Sequence, residues 1–334
     1  MNIKKLTIGI TLIAMILIPA STQLVSGENA EITIKVTEGD VVKVTTEKMT
    51  VVIIPNQAHL MWWYGSKSKS DETFKLQFVK IREFFGADTV LDDCSEFNNN
   101  SFKLIKNDWE YLIEETEEDL TITLSLLDFL NGADMYIVMH IYNYDTPIPD
   151  TNDIVDALSE LKFDIIIDDW VFSEGAQGYA IQSYLTEIEH KNKVSLRNGT
   201  VAENGTLKRT MEYISNQYNY DIVAYYEWLN YANIYDNADT LIDTVDVGTA
   251  YFDCLKTPPP EAPDFAEGLA HLYLTYPNYG DDNKMVHDPT IGVIEPIINV
   301  NEPAYTASIP LYLFPVIGGL FVTAVIVLVV KRKK

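Results

Sequence analysis

The chain has 334 residues, and 49 acidic against 24 basic side chains give it a formal net charge of −25 at pH 7. A field of that sign repels nucleic acid and anionic lipid, which excludes a nucleic-acid-binding role. With 47% hydrophobic and 11% aromatic residues, it is not a disordered acidic chain either, because disorder needs low hydrophobicity together with high charge.

Met1 to Lys5 carries two cations, Lys4 and Lys5. An apolar stretch runs from Leu6 to about Pro19, followed by the small and polar residues Ala20, Ser21 and Thr22 and then Val25-Ser26-Gly27. This is the three-part layout of a secretory signal peptide, residues 1–27, with cleavage expected after Gly27. An uncleaved N-terminal anchor is the alternative, although the run is short against the ~20 residues a span needs.

Period-two alternation then recurs over Ile32–Val36, Phe74–Phe78, Ile122–Leu126 and Phe163–Ile167. Each pattern predicts a strand with one face on a core and one toward water. Met135 to Tyr142 is apolar on both faces apart from His140 and reads as a central strand. Turn signals separate the runs at Glu38-Gly39-Asp40, Asn131-Gly132, Pro147-Ile148-Pro149 and Tyr279-Gly280-Asp281-Asp282. Asn152 to Leu161 is the one short helix expected, capped by Asp150 or Thr151. Many short strands with turn signals predict a mainly β fold, an antiparallel β-sandwich ectodomain over 28–295. It is either one large sandwich or two in tandem, with an internal boundary near 147–150. The proline-rich stretch from Thr257 to Pro263 reads as an extended connector.

Residues 296–308 look like a stalk. Ile309 to Val330 then carries no charged side chain, and at about 1.5 Å per residue it covers the roughly 30 Å hydrocarbon layer. The Lys331-Arg332-Lys333-Lys334 tail stays on the cytoplasmic side of such a span. The expected layout is thus a single-pass cell-membrane protein with an extracellular ectodomain and a cytoplasmic basic tail of residues 331–334. Six of the 24 basic residues lie in the two tails, which leaves 18 against 49 acidic groups in the ectodomain, a net of −31.

The sequence has two cysteines, Cys94 and Cys254, and in a secreted chain two cysteines often pair. Sequons at Asn99, Asn198 and Asn204 are candidate glycan acceptors in polar, turn-like stretches. No catalytic motif stands out, and the five histidines include no i, i+4 pair, so no catalytic residue is assigned. The acidic loop Asp281, Asp282 and, farther on, Asp288 offers oxygen donors for a Ca²⁺ ion without EF-hand spacing. Aromatic groups, Trp62-Trp63 and Tyr226 with Trp228, are candidates for stacking on a glycan or anchoring a protein partner. In a strand, Tyr226 and Trp228 share one face and Tyr225 and Glu227 the other.

The whole layout, together with Leu161-Lys162-Phe163-Asp164-Ile165, Trp170-Val171-Phe172, Leu272–Pro277 and His287-Asp288-Pro289, resembles uncharacterised archaeal surface proteins. That resemblance implies location and architecture, and no reaction. The function expected is a membrane-anchored surface module for binding, adhesion or envelope structure. The alternative is a surface carbohydrate-active hydrolase using paired carboxylates such as Glu83, Asp168 or Asp169.

Overall fold

The structure is a computed structural model, and it describes residues 32–37, 41–65, 73–130, 132–147, 154–187, 193–197, 208–214, 222–251 and 269–295. The expected signal peptide, stalk, span and basic tail lie outside these residues. Among the described residues no helix is long and apolar enough to cross a membrane.

The chain is mainly β. Six strands open it: β1 (Thr33–Thr37), β2 (Val41–Thr45), β3 (Met49–Ile54), β4 (His59–Tyr64), β5 (Phe74–Phe84) and β6 (Phe97–Lys103). There follow β7 (Glu110–Glu115), β8 (Asp119–Leu130), β9 (Ala133–Tyr142), a two-strand ribbon of β10 (Thr146–Pro147) and β11 (Ile154–Val155), β12 (Glu160–Asp168) and β13 (Gly178–Glu187). The remainder comprises β14 (Lys193–Arg197), β15 (Lys208–Ile214), β16 (Ile222–Leu229), β17 (Tyr231–Tyr235), β18 (Leu241–Asp246), β19 (Gly248–Ala250), β20 (Leu269–Pro277), β21 (Lys284–His287) and β22 (Thr290–Val293).

Two large antiparallel sheets collect these strands. The first runs β1-β2-β3-β4-β5-β13-β20-β19, with β6 also on β5. The second runs β14-β15-β16-β22-β12-β21-β17-β18, and β9, β8 and β7 extend it from β12. The predicted strands at 32–36, 74–78, 122–126, 135–142 and 163–167 are all present. β9 is central, flanked by β8 and β12. Its two faces differ, however: Met135, Ile137, Met139 and Ile141 are buried, while Tyr136, Val138, His140 and Tyr142 are only half-buried.

Strands from both sides of residues 147–150 pair directly, β5 with β13 and β9 with β12. The described chain up to that point and beyond it is therefore one large two-sheet unit, and the alternative of two tandem units divided near 147–150 is set aside.

The expected helix from Asn152 to Leu161 is also corrected. Ile154–Val155 pairs with Thr146–Pro147, and from Glu160 the chain is strand. Between them Leu158 adopts φ 63°, outside the helical region, and the Ser159 and Glu160 amides both close on the Asp156 carbonyl. Ile154, Leu158 and Leu161 fit a helical period, but extended pairing on both flanks takes precedence.

The inward faces of the two sheets share one hydrophobic core. Phe74 meets Tyr213 at 4.7 Å between ring centroids, Phe78 meets Phe163 at 6.1 Å and Phe102 meets Phe129 at 5.1 Å. The Trp62 indole donates across the gap to the Gly292 carbonyl at 3.2 Å. Tyr276 of β20 and His287 of β21 add a second polar link at 2.9 Å. A smaller cluster of Phe84, Leu91, Ala180, Ala250 and Tyr273 joins the segment around Cys94 and Phe97 to the first sheet.

Candidate functional site

Alternation along β12 sends Leu161, Phe163, Ile165 and Ile167 into the core and leaves Glu160, Lys162, Asp164 and Asp168 on the opposite face. Charged residues at four of the five positions on one face of an otherwise apolar strand, with Ile166 the exception, are unusual, because each must find partners on the sheet surface. Lys162 lies between His140 of β9 and Thr290 of β22 in the strand register. Its Nζ is 2.6 Å from Asp164 Oδ1 and 3.6 Å from Asp288 Oδ2. Asp288 occupies the corner where the chain leaves β21 and enters β22, and the Phe163 amide holds that corner by donating to the Pro289 carbonyl at 2.9 Å.

Lys162 thus faces two carboxyls at once, those of Asp164 and Asp288. Burial is the main cause that raises the Asp164 pKa, and the charge of Asp288 adds to it against the opposing pull of Lys162. Burial works against the Lys162 ammonium, but Asp288 and Asp164 outweigh it and raise its pKa. The result is a largely desolvated ammonium held against two carboxyls. Farther along the same face, His140 Nδ1 lies 3.0 Å from Asp119 Oδ2. Burial opposes the Asp119 charge, yet the hydrogen bonds from His140, Thr116 and Thr121 leave its pKa lowered.

A second row crosses three strands. Glu160 of β12 and Tyr225 of β16 both stand opposite Gly292 of β22. The Tyr225 ring lies over the glycine, where an added Cβ would fall on ring atoms, and its hydroxyl donates to Glu160 Oε1. The Asp156 amide donates to Glu160 Oε2 at 2.7 Å. Gly292→Ala is therefore expected to displace the ring and cost about 1–3 kcal/mol. Tyr225→Ala in the same chain should recover most of that loss, as denaturant midpoints would show. A Gly292→Ala variant as stable as the wild type would mean that the ring does not cover the glycine.

Glu160 also sets a pH dependence. Burial first, then repulsion from Glu227 and Asp156, raise its carboxyl to about 8, against the Asp156 amide and Lys208. The folded state thus holds this proton more tightly than the unfolded chain, whose carboxyl titrates near 4.5. Its stabilising contribution is full below that lower value and is lost as pH rises through about 8. Glu160→Gln, which cannot ionise, is expected to flatten the fall in urea midpoint between pH ~5 and ~9. An equally steep fall in the variant would contradict this assignment.

The residues singled out in the sequence distribute differently. Trp62, Trp63, Tyr226 and Trp228 are 0, 4, 0 and 1% exposed, so they form no binding platform. Trp62 packs on Phe74 and Tyr213, and Tyr226 lies between Phe163 and Trp228. Their size made them suitable for either role; the inward register of β4 and β16 puts Trp62, Tyr226 and Trp228 in the core, while Trp63, on the other face of β4, lies under the Lys43 ammonium at 5.6 Å.

Asp281, Asp282 and Asp288 are not drawn together. Asp281 accepts from the Phe172 amide at 2.9 Å, Asp282 turns the chain at φ 59°, and Asp288 faces Lys162. Among the described residues no three His, Cys, Asp or Glu side chains form a metal-holding group, so the calcium expectation finds no site in this arrangement. Glu83 is 1% exposed and accepts from the Trp170 indole at 3.3 Å and the Ser173 amide at 2.9 Å. It anchors the turn after β12. Asp168 is half-buried and Asp169 is an exposed turn residue at φ 56°; burial and the neighbouring Asp169 raise the Asp168 pKa.

Cys94 is disulfide-bonded, while Cys254 lies outside the described residues, as do Asn198 and Asn204. Asn99 lies in β6, and its side chain is outside the described set. Nothing local in the sequence marks Glu160, Tyr225 or Gly292 as site residues. For Lys162 and Asp164 the available signal is their alternation inside an apolar strand.

No protein-family model matches the chain. No curated protein matches it in sequence either.

Proposed function

We propose that the chain is a membrane-anchored cell-surface protein whose acidic ectodomain is one large β-sandwich serving as a structural or binding module of the envelope. The observation that carries this reading is the disulfide-bonded Cys94. Disulfides persist in oxidising compartments outside the cytosol, and the signal-peptide pattern at 1–27 and the apolar segment at 309–330 call for the same location. Cys254 is the partner the sequence offers. It lies four residues beyond Ala250, which packs in the small cluster beside Cys94. The sequons at Asn99, Asn198 and Asn204 fit glycosylation of such an ectodomain, and the layout fits the resemblance to archaeal surface proteins.

Within this reading a structural role is favoured over glycan capture, because the aromatic side chains that would stack on sugars are core residues. Of the carboxylates the hydrolase alternative would use, Glu83 is buried and engaged by backbone and indole donors, which favours the structural reading.

Surface biotinylation of intact cells expressing the full chain tests the proposal. A labelled protein in the membrane fraction, removable by protease added outside, is expected. A chain that stays unlabelled and protease-protected in intact cells would overturn it.

A further inference from the structure

Lys162, Asp164 and Asp288 bring a nucleophile, a proton carrier and an acyl group to contact distance. Lys162 Nζ touches Asp164 Oδ1 at 2.6 Å and lies 3.6 Å from Asp288 Oδ2. Lys162 is only 9% exposed, so little water competes for the amine. The two reacting residues sit on different, mutually paired segments. Lys162 is inside β12, and Asp288 is at the corner between β21 and β22. Pairing on both sides of that corner, Lys162 with Thr290 and Ile165 with His287, fixes their separation. Holding two reactants in such a geometry raises their effective concentration to as much as ~10⁵–10⁸ M in favourable intramolecular reactions.

We infer that Lys162 and Asp288 condense into an intramolecular isopeptide bond between Nζ and Cγ, with Asp164 carrying the proton. The ammonium gives one proton to Asp164 through their direct contact, and the free amine attacks Cγ of Asp288. A new C–N bond forms and a C–O bond breaks. The oxygen leaves with two protons that began on Nζ, one of them relayed by Asp164. One ammonium and one carboxylate thus become one amide and one water, and Asp164 ends as it began. No oxidant, metal or energy donor is consumed. The shift of Asp164 toward holding a proton, caused by burial and then by Asp288, suits the carrier role. The upward shift of Lys162 works against the free amine, so the contact with Asp164 is where the barrier is lowered. The product ties β12 to the β21–β22 corner covalently, and the inference stands whether or not the chain is anchored at a cell surface.

Peptide mapping by mass spectrometry of the full-length protein, denatured and digested, tests it. The wild type is expected to yield a branched peptide joining Lys162 to Asp288, lighter by one water than its two linear parts. Asp288→Asn should give the identical branched peptide by loss of ammonia, which no purely structural ion pair would produce. Lys162→Arg and Asp288→Ala should give linear peptides only, and Asp164→Ala should lose most of the branched product. Linear peptides carrying unmodified Lys162 and Asp288 as the sole wild-type products would overturn the inference, as would undiminished linkage in Asp164→Ala. The wild-type and Asp288→Asn digests decide the question even where Asp164→Ala fails to fold.

Discussion

Trp62→Ala is expected to lower the unfolding free energy by about 3–5 kcal/mol, the range for removing a large aromatic side chain from a core. The ring is fully buried and contacts Phe74 and Tyr213 at 5.8 Å each, so its removal opens a cavity where the two sheets meet. It also removes the indole donor from the Gly292 carbonyl. Trp62→Phe separates the two effects. It keeps most of the apolar volume and loses only that hydrogen bond, at about 0.5–1.5 kcal/mol. Guanidinium unfolding curves would read both losses as shifts in midpoint at constant slope. Unchanged stability in Trp62→Ala would return the residue to the surface role that its sequence context allowed.

Reduction of the Cys94 disulfide is the second large effect. If it closes the chain between Cys94 and Cys254, the loop is among the longest that one cross-link can form here, and the chain-entropy relation gives ~4–5 kcal/mol, with measured losses typically ~2–5. The wild-type unfolding midpoint is expected to fall on addition of reductant to the value of a Cys94→Ser variant, which should itself ignore reductant. A wild-type midpoint that reductant does not move would remove both the cross-link and the main support for an extracytoplasmic location. This bond and the proposed Lys162–Asp288 amide respond to different treatments, since only the disulfide yields to thiols.

The strands were legible wherever one face is apolar and the other polar. Ile122-Leu124-Leu126 and Phe163-Ile165-Ile167 announce their inward faces, and both are strands whose inward residues are buried. The same rule correctly separated Tyr226 and Trp228 from Tyr225 and Glu227. It could not tell which of the two faces meets the other sheet, and so the aromatics looked equally suited to a ligand or a core. The pairing of distant strands was not legible at all. Nothing local in β12 reveals that Glu160 will stand opposite Gly292, and so the row with Tyr225 emerges only from the fold. The Lys162 site failed for a related reason. Lys162 and Asp164 are visible as misplaced charges in an apolar strand, but Asp288 lies 124 residues beyond Asp164 in the sequence and reaches them only through the corner at Pro289.

The order in which strands enter the sheets has a consequence for biosynthesis. β12 cannot complete its hydrogen bonding until β21 and β22 exist, and β13 waits for β20. Those closing strands are the final ones of the described chain, ending at Val293. A ribosome delivering this polypeptide therefore releases an incomplete sheet for almost the whole of translation, with open strand edges that invite wrong partners. Dominance of such distant pairings slows folding. The chain is best shielded by whatever receives it as it leaves the ribosome, and its native state is reached in a late, single act once residues 284–293 have arrived.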